Sequence, residues 1–125
     1  MENNNIIVKG IEVSYKRINE DDYICLTDIA RVKNEKEPKD VIKNQMRLRS
    51  PIEYLVLWEQ FYNEDFKGVD FDPLLGETGK NTFTLFPSRW IEEYKAIGLK
   101  TIALKNGGTY AHKDNAFKFA SWILV

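Results

Sequence analysis

At 125 residues the chain has room for one domain with a packed core and too little for two. A hydrophobic share of 43% with 13% aromatic residues excludes a disordered chain, and the single cysteine, Cys25, excludes an internal disulfide and fits a reducing, cytoplasmic setting. The net charge of −1, with a pI near 5.9, argues when taken whole against a nucleic-acid partner.

That total conceals an uneven spread. Residues 31–50 carry seven basic side chains (Arg31, Lys33, Lys36, Lys39, Lys43, Arg47 and Arg49) against three acidic ones. Residues 81–125 carry six basic against three acidic, whereas residues 1–30 and 51–80 are acidic on balance. The field over a surface follows the local distribution, so two basic blocks suffice to attract a polyanion. The opening MENNNIIVKG lacks the basic-then-apolar pattern of a secretion signal, and no apolar run approaches the ~20 residues needed to span a membrane; neither feature is expected.

In chain order, Ile6–Val8 and Ile11–Tyr15 read as short strands around Lys9-Gly10, the second alternating through Ile11, Val13 and Tyr15. The polar run Asn19–Asp22 is a turn before a third strand, Tyr23–Leu26. Thr27 is placed to cap a short helix from Asp28 to about Val32, and the charged stretch Lys33–Lys39, with Pro38, follows as a loop. A second helix is expected from Lys39 or Asp40 to Arg49, stopped there because Pro51 disfavours helical geometry at Ser50. Ser50, Pro51 and Glu53 have the spacing of a capping box that opens a third helix, about Pro51–Tyr62. Its wheel is mostly apolar, with Ile52, Leu55, Val56, Trp58 and the neighbourhood of Glu59 and Phe61. An abrupt corner between these two helices is the ingredient of a helix-turn-helix.

Asn63–Lys80 reads as a long acidic loop, Thr82–Leu85 as a strand, and Pro87 to about Ala96 as a helix stopped by Gly98. Thr101–Leu104 and Thr109–Ala111 flank Lys105-Asn106-Gly107-Gly108, the strongest local signal for a hairpin. A last helix covers about Asp114–Ile123. The expected fold class is α+β: a single domain over residues 1–125 with short antiparallel strands, about five helices and a winged helix-turn-helix-like core.

Two constellations point to nucleic acid. On the second helix Lys43 and Arg47 share a face, with Lys36 and Lys39 just before it and Asn44 beside it. Arg can fork onto guanine, Asn onto adenine, and Lys can neutralise phosphate. The hairpin Lys105–Lys113 has little side-chain bulk at its tip, carries Lys100, Lys105 and Lys113 around it, and offers Tyr110 for stacking on a base. Each has a plainer reading: a charge run is usually a solvated helix face, and hairpin glycines usually satisfy turn geometry alone.

Other chemistry is weaker. His112 and Cys25 are each the sole residue of their type, too few for a zinc site, so His112 is read as a helix-start or packing residue. Asp65, Asp70, Asp72 and Glu77 have no assisting Lys or His and no calcium-loop spacing, so a solvated acidic loop is favoured over a magnesium-dependent nuclease site. Trp58, Trp90 and Trp122 read as core aromatics. No catalytic residue, metal or cofactor is expected.

Tyr23-Ile24-Cys25-Leu26-Thr27-Asp28-Ile29-Ala30 resembles the opening motif of KilA-N domains, found in phage, prophage and large DNA virus proteins. Ile42-Lys43-Asn44, Arg47, Ile52-Glu53-Tyr54-Leu55 and Trp58-Glu59 resemble the family's central helices, and Thr82-Phe83-Thr84-Leu85 with Trp90-Ile91 its next block. Gly107–Asp114, Ala116-Phe117 and Phe119–Ile123 resemble the last, so the likeness runs over about residues 10–123. It implies a DNA-binding domain similar to the fungal APSES domain. In it the helix bearing Lys43, Asn44, Arg47 and Arg49 would meet duplex DNA, with single strands as the alternative, and Lys105, Asn106, Gly107, Gly108, Thr109, Tyr110 and Lys113 would form or flank the wing. It also implies a regulatory role linked to phage. Gln45 stands where the family often has Trp, Phe86 where it often has a capping Ser, and Val125 ends the chain where a further helix commonly follows. A phage or host regulatory protein, held by the acidic loop or the apolar C-terminal end, is the alternative partner.

Overall fold

The computed structural model describes residues 4–8, 10–66, 76–80, 84–103 and 108–124. Three N-terminal strands, β1 (Asn4–Val8), β2 (Ile11–Ile18) and β3 (Asp21–Cys25), form an antiparallel meander. The β2–β3 turn is two residues long, and both Asn19 and Glu20 have positive φ, 50° and 70°, the geometry that matches the twist of a tight hairpin. Helices α1 (Leu26–Lys33), α2 (Pro38–Gln45), α3 (Arg49–Tyr62) and α4 (Pro87–Tyr94) follow. Then come β4 (Leu99–Ile102), β5 (Gly108–His112) and α5 (Lys113–Ile123). Strand β5 pairs with both β3 and β4, giving a five-stranded antiparallel sheet in the order β1-β2-β3-β5-β4.

The α+β class therefore stands, with five of the six expected strands and the last helix close to where the residues put them. Helices α1 and α5 pack on the sheet, α2 packs on α1, α3 on α5, and α4 against β4. Consecutive burial of Tyr23, Ile24 and Cys25 follows from the central place of β3, covered on both faces. The core gathers Leu26, Ile29, Met46, Ile52, Leu55, Leu85, Trp90, Leu99, Phe119 and Ile123, each almost fully enclosed and each contributing about 1.5–3 kcal/mol by burial. Truncating the largest, such as Phe119→Ala, would cost about 3–5 kcal/mol.

Several boundaries differ from the sequence-based expectations, each for a local reason. Helix α2 stops at Gln45 and residues 46–48 form the turn, because the Met46 carbonyl accepts from the Leu85 N–H (3.1 Å) and the Arg47 carbonyl from the Gly79 N–H (2.8 Å). Helix α3 then starts at Arg49, two residues before Pro51, and no capping box forms. Pro51 is tolerated in the first turn because an N–H there has no intrahelical acceptor. Helix α1 begins at Leu26 with no side-chain cap. The Thr27 hydroxyl oxygen instead accepts from β5, at the Thr109 N–H. Residues 84–86 are not in a strand, whereas residues 82 and 83 lie outside the described residues. Helix α4 ends at Tyr94 with Lys95 as its cap in the left-handed conformation, three residues before the expected stop at Gly98. On α3 the burial of the ambiguous pair is decided: Glu59 is fully enclosed and Phe61 is 74% exposed. Of the apolar residues expected to be exposed near the C-terminus, Ile123 is buried and Trp122 packs edge-on against Tyr54 and Phe119.

Candidate nucleic-acid interface

Helix α2 opens on Pro38, acceptable at a first helical position, and buries Ile42 against the body. With that side inward, Lys39, Asp40, Lys43 and Asn44 are left exposed, and Lys36 is exposed in the turn that joins α1 to α2. Lys39 and Lys43, four apart, lie on one face. Neither they nor Lys36 forms an ion pair among the described residues.

Two arginines expected on this face are elsewhere. Arg47 is in the turn after α2, half-buried, with its guanidinium Nη2 donating to the Lys80 carbonyl (3.3 Å). It has left the stripe of Lys39 and Lys43 because the tertiary bonds of Met46 and Arg47 to Leu85 and Gly79 end the helix first. Arg49 is the first residue of α3 and pairs with Glu53 one turn on, at 2.5 Å in an exposed i,i+4 contact. The closely packed helix pair is α1 with α2 through residues 34–37, not α2 with α3.

The base of the β4–β5 hairpin sits beside α2. Strands β4 and β5 pair antiparallel from Leu99↔Ala111 to Ile102↔Gly108, as the hairpin signal requires, while Lys105, Asn106 and Gly107 lie outside the described residues. The Thr109 N–H donates to Thr27 Oγ1 (3.1 Å), linking β5 to α1. Gly108 presses on the same threonine: a Cβ there would meet Thr27 Oγ1 at 2.5 Å, and its φ of +153° is one that other residues rarely adopt. Gly108 and Thr109 line a concavity of about 200 Å³ together with Lys39, Asp40, Ile42 and Lys43 of α1's partner helix, Thr27, Phe86 and Pro87. The basic helix and the hairpin base thus share one side of the molecule.

The remaining site candidates separate from this cluster. Tyr110 is 1% exposed, so its ring is closed to a base; Lys16, itself buried, places its ammonium 5.2 Å from the ring centre. Burial, reinforced by Cys25 and Asp28, pushes the Tyr110 phenol up to about 12. Lys113 is exposed but begins α5, one residue beyond the end of β5 opposite Gly108, the two ends of the strand being four steps or about 13 Å apart. Lys100 lies on β4 with its ammonium 5.8 Å from the Tyr23 ring centre.

That opposite end of β5 holds a polar cluster. His112 caps α5, accepting at Nδ1 from the Asp114 N–H (3.3 Å), and packs against the rings of Tyr23 and Trp58. The helix-start reading of His112 is correct. Glu59 is the residue that sequence reasoning undervalued. Its carboxylate accepts from the N–H groups of Ile97 (3.0 Å) and Gly98 (2.6 Å) and from Asn63 Nδ2 (2.8 Å). Burial pushes its pKa up, and those hydrogen bonds partly oppose the shift. The signal was its spacing with Ile52, Leu55 and Val56, which puts a charge on the buried stripe. Asn115 Nδ2 donates to the Gly98 carbonyl (3.3 Å), and a Cβ on Gly98 would meet Asn115 Nδ2 at 2.5 Å and Glu59 Oε2 at 2.7 Å.

Among the described residues no group of three or more His, Cys, Asp or Glu is arranged to hold a metal ion, and Asp70 and Asp72 lie outside them. No described helix is long and apolar enough to cross a membrane. No curated protein and no solved structure was found to match the chain. The family model of the KilA-N domain matches residues 6–125, nearly its whole length. The chain belongs to the KilA-N family, which is generally a DNA-binding domain family.

Proposed function

We propose that this chain binds duplex DNA without catalysing a reaction, using α2 as the groove-facing helix and the β4–β5 hairpin as a wing, in a cytoplasmic regulatory role of phage or prophage origin. The observation that carries the reading is the shared concavity: Lys39 and Lys43 from one element face Gly108 and Thr109 from another, 65 or more residues on in the chain. On this reading α1 and α2 form the helix-turn-helix. Lys36, Lys39 and Lys43 neutralise phosphate, and Asn44 reaches base edges. Lys105, Asn106 and Gly107 add further contacts to DNA, and Arg47 and Arg49 at the corner before α3 reach flanking backbone. The opposing charge, Asp40 in the same concavity, limits the local excess but leaves it positive.

Fluorescence anisotropy with labelled duplex and single-stranded oligonucleotides over a salt series tests this. The duplex should bind more tightly, with log affinity falling against log salt by roughly 0.9 for each phosphate neutralised. Salt-independent binding, or none, rejects the reading.

One observation favours a protein partner as a second reading. Leu57, Phe61, Tyr62 and Phe117 are all more than half exposed and line a groove with Tyr54 and Trp58 between α3 and α5. Contiguous exposed apolar surface of this kind marks interaction sites. A partner that co-purifies with the wild type and is lost from Phe61→Ser with Phe117→Ser, in a chain that fails to bind DNA, would make this the main role.

A further inference from the structure

The proposed DNA face contains an exposed aromatic side chain that phosphate binding leaves unused. Phe86 precedes α4 with extended backbone, contributes no side-chain cap, and is 51% exposed. It lines the same concavity as Lys39 and Lys43, and Ile42 and Pro87 make the adjoining wall apolar. A benzyl group offers a phosphate nothing. Asp40, in the same concavity, is repelled by phosphate and fits only an amino donor such as cytosine N4. These two neighbours mark a part of the surface that faces base edges, with lysines beside it holding the backbone.

The major groove presents donors and acceptors almost throughout, and its one apolar group is the C5-methyl of a pyrimidine. We propose that Phe86 reads such a methyl, that of thymine or of 5-methylcytosine, and makes this chain prefer a methylated pyrimidine at one position of its site. The inference rests on the DNA reading above and gives that site its specificity. A small hydroxyl residue at this position, as the family resemblance leads one to expect, would lack the contact, so the preference belongs to this chain.

The test uses the full chain and duplexes selected from a random pool. Each thymine is replaced in turn by deoxyuridine, which deletes only the methyl, and each cytosine by 5-methylcytosine. For the wild type one thymine replacement should weaken binding about fourfold, the loss expected for one methyl's burial, or one cytosine methylation should strengthen it by as much. The first result identifies thymine as the source and the second 5-methylcytosine. Phe86→Ser should abolish that dependence while keeping the salt slope, and Phe86→Leu should retain part of it. Methyl dependence that is equal in wild type and Phe86→Ser overturns the inference, as does its absence from the wild type. Loss of affinity in Phe86→Ser without methyl dependence also overturns it, because a ring wedged between base steps would behave in that way. A wild type that binds no duplex at all overturns the DNA reading and this inference together, a result plainly different from duplex binding blind to the methyl.

Discussion

The two ends of β5 are built on opposite principles. At the His112 end, Glu59, Asn63, Gly98 and Asn115 form an enclosed set in which the carboxylate takes three donors and Gly98 has no room for a methyl group. At the Gly108 end, cations stand in solvent around a partly apolar concavity, where the Thr109 N–H donates to the Thr27 hydroxyl. The comparison teaches how one short strand joins stability to binding. Buried polar groups are costly unless satisfied; at the first end the Glu59 carboxylate is satisfied, whereas Asn115 Oδ1 is buried with no hydrogen-bond partner among the described residues. Surface lysines cost little to leave exposed and become useful only when a polyanion arrives. Changes at the two ends should therefore separate in their effects, and four experiments can break or sharpen that division.

The largest effect belongs to Glu59→Ala. It strands the N–H groups of Ile97 and Gly98 in the interior and should lower unfolding free energy by on the order of 3 kcal/mol in urea titration. DNA affinity of the folded fraction should stay unchanged; a stable variant would mean the enclosed cluster does not anchor the fold. Next, Lys39→Ala with Lys43→Ala should weaken duplex binding roughly tenfold and flatten the salt slope by about 1.8, with no change in melting temperature. Unchanged affinity would remove α2 from the interface.

Gly108→Ala is the variant predicted to violate the division. Its methyl meets Thr27 Oγ1 in a backbone conformation that alanine resists, so stability should fall by about 1–3 kcal/mol. DNA affinity should fall as well, because the hairpin base moves relative to α2; loss of one without the other would separate the hairpin base from the wing. The smallest effect is on pH dependence. Burial raises the Glu59 pKa above its usual 4.5, so the native state takes up this proton more readily than the unfolded chain does. That contribution to stability is fully present below the unfolded-state pKa and is lost as pH rises through the folded-state value. Compared with Glu59→Gln, the wild type should gain melting temperature as pH is lowered from 7 towards 4.5. A constant difference would show that the hydrogen bonds from Ile97, Gly98 and Asn63 balance desolvation, and a loss on acidification that they outweigh it.

Much of the fold was legible because its signals are local. The alternation of Ile11, Val13 and Tyr15, the polar turn at Asn19 and Glu20, the proline opening α4 and the hairpin composition near Gly108 each act over a few residues. The basic block around Lys39 and Lys43 was legible in the same way, since exposure follows once Ile42 turns inward. The interface was only half legible. Arg47 reads as a member of that face by spacing, and leaves it through backbone bonds to Gly79 and Leu85, more than 30 residues away. Tyr110 reads as a hairpin aromatic, and is covered because β5 lies between β3 and β4 with Lys16 over its ring.

By itself, then, the order of residues determined most of the helices and strands (though not the strand expected at Thr82–Leu85), where positive charge gathers, and that the chain is a KilA-N domain. Tertiary structure alone decided that Thr27 turns from helix capping to hold Thr109, that Glu59 is interior and Phe61 exterior, and that Phe86 stands among the lysines. The physical reason is range. Propensity and periodicity are properties of neighbours along the chain, whereas burial and concavity depend on which distant segments meet, and a hydroxyl, carboxylate or ring takes its role from that meeting.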